Sequence, residues 1–224
     1  MMRPRASVHL LFLMLILAGC SQNEPAAKNV ATTGEKPKSD APAASKTFTI
    51  GMSQCNLGEP WRVQMNADIK AAATKHPNLE VIFKDAQNDT LRQRSHIEEF
   101  VSAGVNLIIV SPKEAEPLTE PIANAFRSGI PVIVLDRAVR GDAFTCFIGA
   151  DNVQIGRAAG KWIAEHIGND AKIVELKGLM TSIPGQDRHN GFVEGLGGKG
   201  KVVFEADMKW LEPEARKEMD SALA

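Results

Sequence analysis

Beyond residue 46 the chain alternates between short apolar runs and longer stretches whose apolar positions recur every three or four residues. The short runs read as strands near 48–52, 80–84, 107–110, 131–135, 146–149, 172–176 and 201–205. The longer stretches predict helices near 61–75, 90–103, 118–127, 153–167 and 186–196, with another beginning near Pro213. The punctuation agrees with this reading. Pro60 suits the first turn of the first helix and Pro77 stops it. Asp89 stands where the second helix needs a cap, and Gly104 and Gly129 follow two helices as C-terminal stops. The strand runs are continuously apolar rather than alternating, as expected when helices cover both faces of a sheet. Regular strand–helix alternation requires right-handed crossovers, so the expected fold is α/β with parallel, doubly wound sheets.

The segment before residue 46 has a different character. Arg3 and Arg5 make a positive start, residues 10–18 form an unbroken apolar run, and Leu17-Ala18-Gly19-Cys20 follows. That run is far short of the roughly 20 residues needed to span a bilayer as a helix, and the layout is that of an export signal over 1–19. The end of the signal resembles the lipobox of bacterial lipoproteins, which implies lipidation of Cys20, an exported chain and a membrane anchor. Residues 20–45 are rich in Ala, Pro, Lys, Ser and Thr with a single Val, and read as a disordered tether.

Composition narrows the function. The 224 residues are 44% hydrophobic and 24% charged, with a formal net charge of −1. This is the profile of a globular chain, and the missing basic excess argues against nucleic acid as a partner. Cys55 and Cys146 remain after the signal; export permits a bridge between them, but their spacing does not call for one. Neither has a second Cys or His at zinc-ligand spacing, so no metal is expected. Two motif matches are rejected on context. Gly195-Leu196-Gly197-Gly198-Lys199-Gly200 fits a dinucleotide fingerprint but lies after a helix and before a strand, the reverse of what a phosphate site requires. Asn88-Asp89-Thr90 is a glycosylation sequon made incidental by the bacterial-type signal.

In an open α/β sheet, ligands bind outside the carboxyl ends of the strands. Those ends carry the unusual residues: Glu59, Trp61 and Arg62 after the first strand, Asp136 and Arg137 after the fourth, Arg188 after the sixth and Trp210 after the seventh. A carboxylate beside a guanidinium can hold neighbouring sugar hydroxyls, and an indole face can cover the C–H face of the ring. Each residue also has a plainer reading. Trp61 and Met65 fit one core stripe, Arg62 a solvated helix face, Asp136-Arg137 a structural ion pair, and Asp187-Arg188 a pair at a helix terminus. Trp162 sits within an amphipathic helix and is expected in the core. Of the five His residues only His189 is near the rim, without a matching nucleophile, so no catalytic set and no cofactor are expected.

Thr49-Ile50-Gly51-Met52-Ser53, Pro60-Trp61-Arg62, Val134-Leu135-Asp136-Arg137, Ile148-Gly149-Ala150-Asp151-Asn152 and Asp187-Arg188-His189-Asn190-Gly191-Phe192 together resemble the type 1 periplasmic binding proteins. The likeness is to the sugar-binding subunits of ABC importers, in the ribose and galactofuranose branch, and runs from about Phe48 to the end. It implies two Rossmann-like lobes joined by a hinge and closing on a monosaccharide. By position, Glu59, Trp61 and Arg62 match the first-loop contacts, and Asp136 and Arg137 the carboxylate–guanidinium pair. Arg188 and Trp210 match the sugar-binding Arg and the stacking aromatic of the second lobe, and residues 148–152 the first hinge crossing. Trp-Arg in place of two Phe moves the likeness away from ribose.

The resemblance further implies a monomeric, non-enzymatic binder that delivers its ligand to ABC permease subunits. The same closed form suits a sensor presenting a sugar or a furanose signal to a chemoreceptor or sensor kinase. The family pattern continues beyond residue 224, into an Asn-Asp motif, two return crossings and the last helix and strand of the first lobe. The chain is therefore expected to be a fragment or an early stop. Residues 46–150 would be an N-terminal lobe lacking its return elements and 151–224 a partial C-terminal lobe.

Overall fold

The computed structural model describes residues 46–224. The export signal, Cys20 and the tether lie outside the described residues. Strands β1 (Phe48–Gln54), β2 (Leu79–Asp85), β3 (Leu107–Ser111), β4 (Val132–Leu135) and β5 (Cys146–Ile148) form one sheet in the order β2-β1-β3-β4-β5, parallel throughout. Helices α1 (Pro60–Ala73), α2 (Thr90–Ser102) and α3 (Glu116–Arg127) make the crossovers. The chain leaves β5, enters α4 (Asn152–His166), and builds a second, two-stranded parallel sheet from β6 (Lys172–Lys177) and β7 (Lys201–Asp207). Helices α5 (Ile183–Leu196) and α6 (Glu212–Leu223) complete the described fold. The expected α/β architecture with parallel sheets is present.

Local chemistry explains the element boundaries. Asp89 caps α2 by accepting from the backbone N–H of Leu91 and Arg92, and Asp151 caps α4 by accepting from Gln154. Gly104 and Gly129 take the left-handed conformation past α2 and α3. The Gly195–Gly200 run is the αβ turn that context predicts, with Gly197, Gly198 and Gly200 all at positive φ. The largest shift from the expected boundaries is at the start of α5. α5 starts at Ile183 instead of 186, because Pro184 occupies its first turn, where a missing N–H costs nothing.

The first sheet packs its main core against α2 and α3, through Ile97, Phe100, Ile108, Val110, Leu118, Ile122, Val132 and Val134. In the second layer the closest packing is between helices. A Cβ at Gly156 would lie 2.1 Å from the Arg188 carbonyl oxygen and one at Gly160 2.2 Å from that of Phe192. Reciprocally, a Cβ at Gly191 or Gly195 would lie 2.1 or 2.3 Å from the carbonyls of Val153 and Arg157. Four glycines thus bring the α4 and α5 backbones into direct contact. This seam corrects the reading of Trp162. Two residues past Gly160 it points about 200° around the helix, away from the seam. It is 55% exposed, with its ring stacked on His166 at 4.7 Å. Cys55 and Cys146 are both free thiols, the first buried and the second exposed.

Candidate functional site

All seven residues singled out at the strand ends line one cavity of about 340 Å³, together with Pro184. Glu59, Trp61, Arg62, Asp136 and Arg137 reach it from the first sheet and its connections, and Pro184, Arg188 and Trp210 from the second.

Arg62 is the buried pivot of the first side. Pro60 opens α1 beside the carboxyl end of β1, which turns Arg62 inward at 1% exposure and leaves Trp61 at 45%. Both residues therefore depart from their plainer readings as solvated face and core stripe. The Arg62 guanidinium donates from Nη1 to Gln54 Oε1 at 2.9 Å and to Ser111 Oγ at 3.1 Å. Its Nη2 lies 3.6 Å from Asp136 Oδ2. Its Nε approaches Glu59 Oε2 at 2.7 Å as an ion contact, and neither atom has an aligned hydrogen-bond partner. The Trp61 ring lies 4.2 Å from the guanidinium carbon, so one plane of the cation is covered by the indole.

Asp136 follows β4 in the left-handed conformation, φ 66°, which an Asp tolerates better than most residues. Its N–H donates to the Ile148 carbonyl at 2.7 Å, tying the end of β4 to the end of β5. Burial pushes its carboxyl above the ordinary aspartate range, against the opposing pull of Arg62, Arg137 and Arg188. Arg137, 5% exposed, donates to the Lys113 carbonyl at 3.1 Å and lies 3.8 Å from Asp136 Oδ2. Burial lowers its pKa from the ordinary arginine value. Three guanidiniums face two carboxylates, and each guanidinium offers more donors than these contacts use.

The second side is built from the helix seam and a tight turn. Arg188 Nε donates to Asn152 Oδ1 at 2.8 Å, which fixes it to the first residue of α4 rather than to Asp187. Its guanidinium lies 5.3 Å from the centre of the Trp210 ring. Lys209 and Trp210 both have positive φ, which folds the chain back after β7. The Trp210 ring then lies over Gly178, where a Cβ would be only 2.0 Å from Cζ2, and its indole N–H points to Ser182 Oγ at 3.5 Å.

Pro184, Gln54, Ser111, Asn152 and Gly178 are parts of this site that the motif reading did not single out. Their positions at strand ends and helix starts carried a signal; their roles required the geometry. None of the cavity-lining residues is a Ser, Thr, Cys, Lys or His. Burial raises the pKa of Cys55, which keeps it a protonated thiol. Ser53 and His96 do meet, Oγ to Nδ1 at 3.2 Å, but both are buried and outside the cavity. Glu175, His189 and Glu205 bring their ligand atoms within 4.8 Å of one another. They already have partners, His189 Nδ1 lying 2.9 Å from Glu175 Oε1 and Lys177 pairing with Glu205 at 3.3 Å.

A family model described as "Periplasmic binding protein domain" matches residues 50–224. The ribose import binding protein RbsB of Bacillus subtilis (strain 168) is 30% identical over 191 residues, covering 85% of this chain and 59% of that protein. The galactofuranose-binding protein YtfQ of Escherichia coli (strain K12) is 27% identical over 158 residues, 69% of this chain and 49% of the relative. Among solved structures, the fructose-binding periplasmic domain of the hybrid two component system BT1754 superposes with a TM-score of 0.75 at 38% identity. It covers 79% of this chain and 59% of its own. The chain spans about three-fifths of the length of the first of these relatives. On this evidence the chain belongs to the periplasmic binding protein family.

Proposed function

We propose that the protein is the solute-binding subunit of an ABC-type importer, which holds one monosaccharide between two lobes and closes over it about a hinge. The observation that carries this is the single cavity in which an Asp–Arg pair from one sheet faces an Arg–Trp pair from the other. A sugar ring edge displays alternating donors and acceptors that two carboxylates and three guanidiniums can match, while Trp61 and Trp210 offer apolar faces to its C–H groups. A ligand touching both sides favours the state in which the sides are close, so binding shifts a population toward closure. The proposal is binding without turnover. In this reading residues 46–150 and 151–224 belong to the two lobes, and residues 148–152 form one hinge crossing. Cys20 anchors an exported, monomeric protein to the membrane, where the closed form meets permease subunits.

A second reading is favoured by one comparison. The 38% identical neighbour is the periplasmic domain of a hybrid two component system, so the same closed form can serve sensing of a sugar.

A panel of pentoses, hexoses and polyols, tested by thermal shift on the full chain, checks the binding step. One or a few sugars should raise the melting temperature in a concentration-dependent way, since a ligand that binds only the folded state stabilises it by mass action. A panel with no shift at millimolar sugar would overturn the proposal. Stimulation of a reconstituted permease ATPase by the liganded protein would favour import over sensing.

A further inference from the structure

The two sheets touch at a second place, outside the cavity lining. Thr181, in the loop between β6 and α5, accepts at its carbonyl from the Ala115 backbone N–H at 3.1 Å. Its hydroxyl donates to Glu114 Oε1 at 2.9 Å. Beside this, Arg140 Nη2 donates to Gln186 Oε1 at 2.9 Å. Glu114 and Ala115 lie in the loop between β3 and α3, and Arg140 between β4 and β5. The three bonds therefore run directly from the first sheet's loops to the β6–α5 loop and the first turn of α5, and none of these residues lines the sugar cavity.

Both halves of this contact are held ready. Thr90, at the start of α2, donates its hydroxyl to the other Glu114 oxygen and so orients the carboxylate. Burial raises the Glu114 pKa, but the hydrogen bonds from Thr90 and Thr181 and the nearby Lys113 outweigh it and hold the carboxyl below the usual range. Arg140 is steadied by its own N–H to Thr119 Oγ1 at 3.0 Å and by Glu116 at 3.5 Å. Gln186 is fixed from its side by donating to the Met180 carbonyl at 2.8 Å.

We propose that the Glu114–Thr181 and Arg140–Gln186 contacts form a clasp that sets the open–closed equilibrium of the cleft without touching the ligand. This rests on the reading of the cleft as a sugar site that closes. The apparent affinity of such a site is its closed-state affinity multiplied by the fraction of protein able to close. A contact made only when the sides are together raises that fraction for every ligand alike. A cavity residue, in contrast, changes affinity by amounts that depend on the hydroxyls of each sugar.

The test pairs Thr181→Val with Arg140→Leu, singly and together, in the full chain. Thr181 and Arg140 are surface-exposed side chains, so folding is not at stake. Small-angle scattering of the ligand-free protein should report a more open double variant. Titration with the sugars identified for the wild type should give affinities about 3- to 10-fold weaker per lost bond, by equal factors for each sugar and mainly through faster release. Unchanged scattering with unchanged affinities would overturn the clasp, and so would losses that differ from sugar to sugar. If the wild type binds no sugar, the reading of the cleft fails, while scattering still decides whether these bonds hold the two sides together.

Discussion

Arg62 Nη2 and Asp136 Oδ2 lie 3.6 Å apart, joining the first turn of α1 to the end of β4 at the floor of the cavity. The cation is almost wholly buried and the carboxylate about two-thirds so. This contact therefore supports the fold as well as the site. Replacing Arg62 by Met keeps most of the volume but leaves Glu59, Gln54 and Ser111 without their shared donor. The expected cost is about 3 kcal/mol, in the range for removing one partner of a buried pair. A denaturant midpoint equal to that of wild type would refute it.

Asp136 also makes stability depend on pH. Its native pKa lies above the unfolded value because of burial, so the folded state holds a proton that the unfolded state has lost. Stability should fall as pH rises from the ordinary aspartate range through the raised native value, and level off above it. Asp136→Asn should remove that segment of the slope. Unfolding free energies measured across the acid range for both proteins check the sign; an unaltered slope would count against the assignment.

Gly178 positions Trp210 by lacking a side chain. Gly178→Ala puts a methyl where the indole now lies, 2.0 Å from Cζ2, and so must displace the ring or the turn that carries it. The expected outcome is a shift in the fluorescence contributed by Trp210 and at least tenfold weaker sugar binding, with circular dichroism retained. Unchanged affinity would show that the Trp210 face is not used.

The glycine seam between α4 and α5 should tolerate no side chain. A methyl at Gly191 would stand 2.1 Å from the Val153 carbonyl oxygen, and backbone atoms of packed helices have little room to give way. Gly191→Ala should cost about 1–3 kcal/mol by overpacking, and weaken binding through Arg188, three residues earlier on α5. Gly58→Ala is the control, since a Cβ there would lie an ordinary 3.5 Å from Asn56 Oδ1 and its φ is not positive. Equal melting temperatures for the two variants would contradict the seam.

Much of this arrangement was legible in the residues. The strand ends where Glu59, Trp61, Arg62, Asp136, Arg137, Arg188 and Trp210 stand converge because parallel strands place all their carboxyl ends on one edge, a topological consequence of the alternation. What the sequence did not disclose was the partner of each group. That Arg188 leans on Asn152, and not on the adjacent Asp187, depends on how close α4 and α5 come. That closeness follows from glycines at 156, 160, 191 and 195, whose four-residue spacing lies in the sequence but whose role as a seam depends on which helix each pair faces. Trp162 departs from its expected core position for the same reason: amphipathic patterning assigns a helix its buried face by its large apolar side chains, whereas α4 buries Asn152, Gly156 and Gly160.

The central claim is that one monosaccharide is held by the cavity in which Asp136–Arg137 faces Arg188–Trp210. Isothermal titration of the full chain with the best sugar from the panel tests it most directly, with Arg137→Ala titrated alongside. The account predicts one site per chain in the wild type and binding weaker by about 10- to 100-fold in the variant, the loss expected when a buried donor to the ligand is removed. Equal affinity in the two proteins, or no binding of any monosaccharide by the wild type, would contradict it.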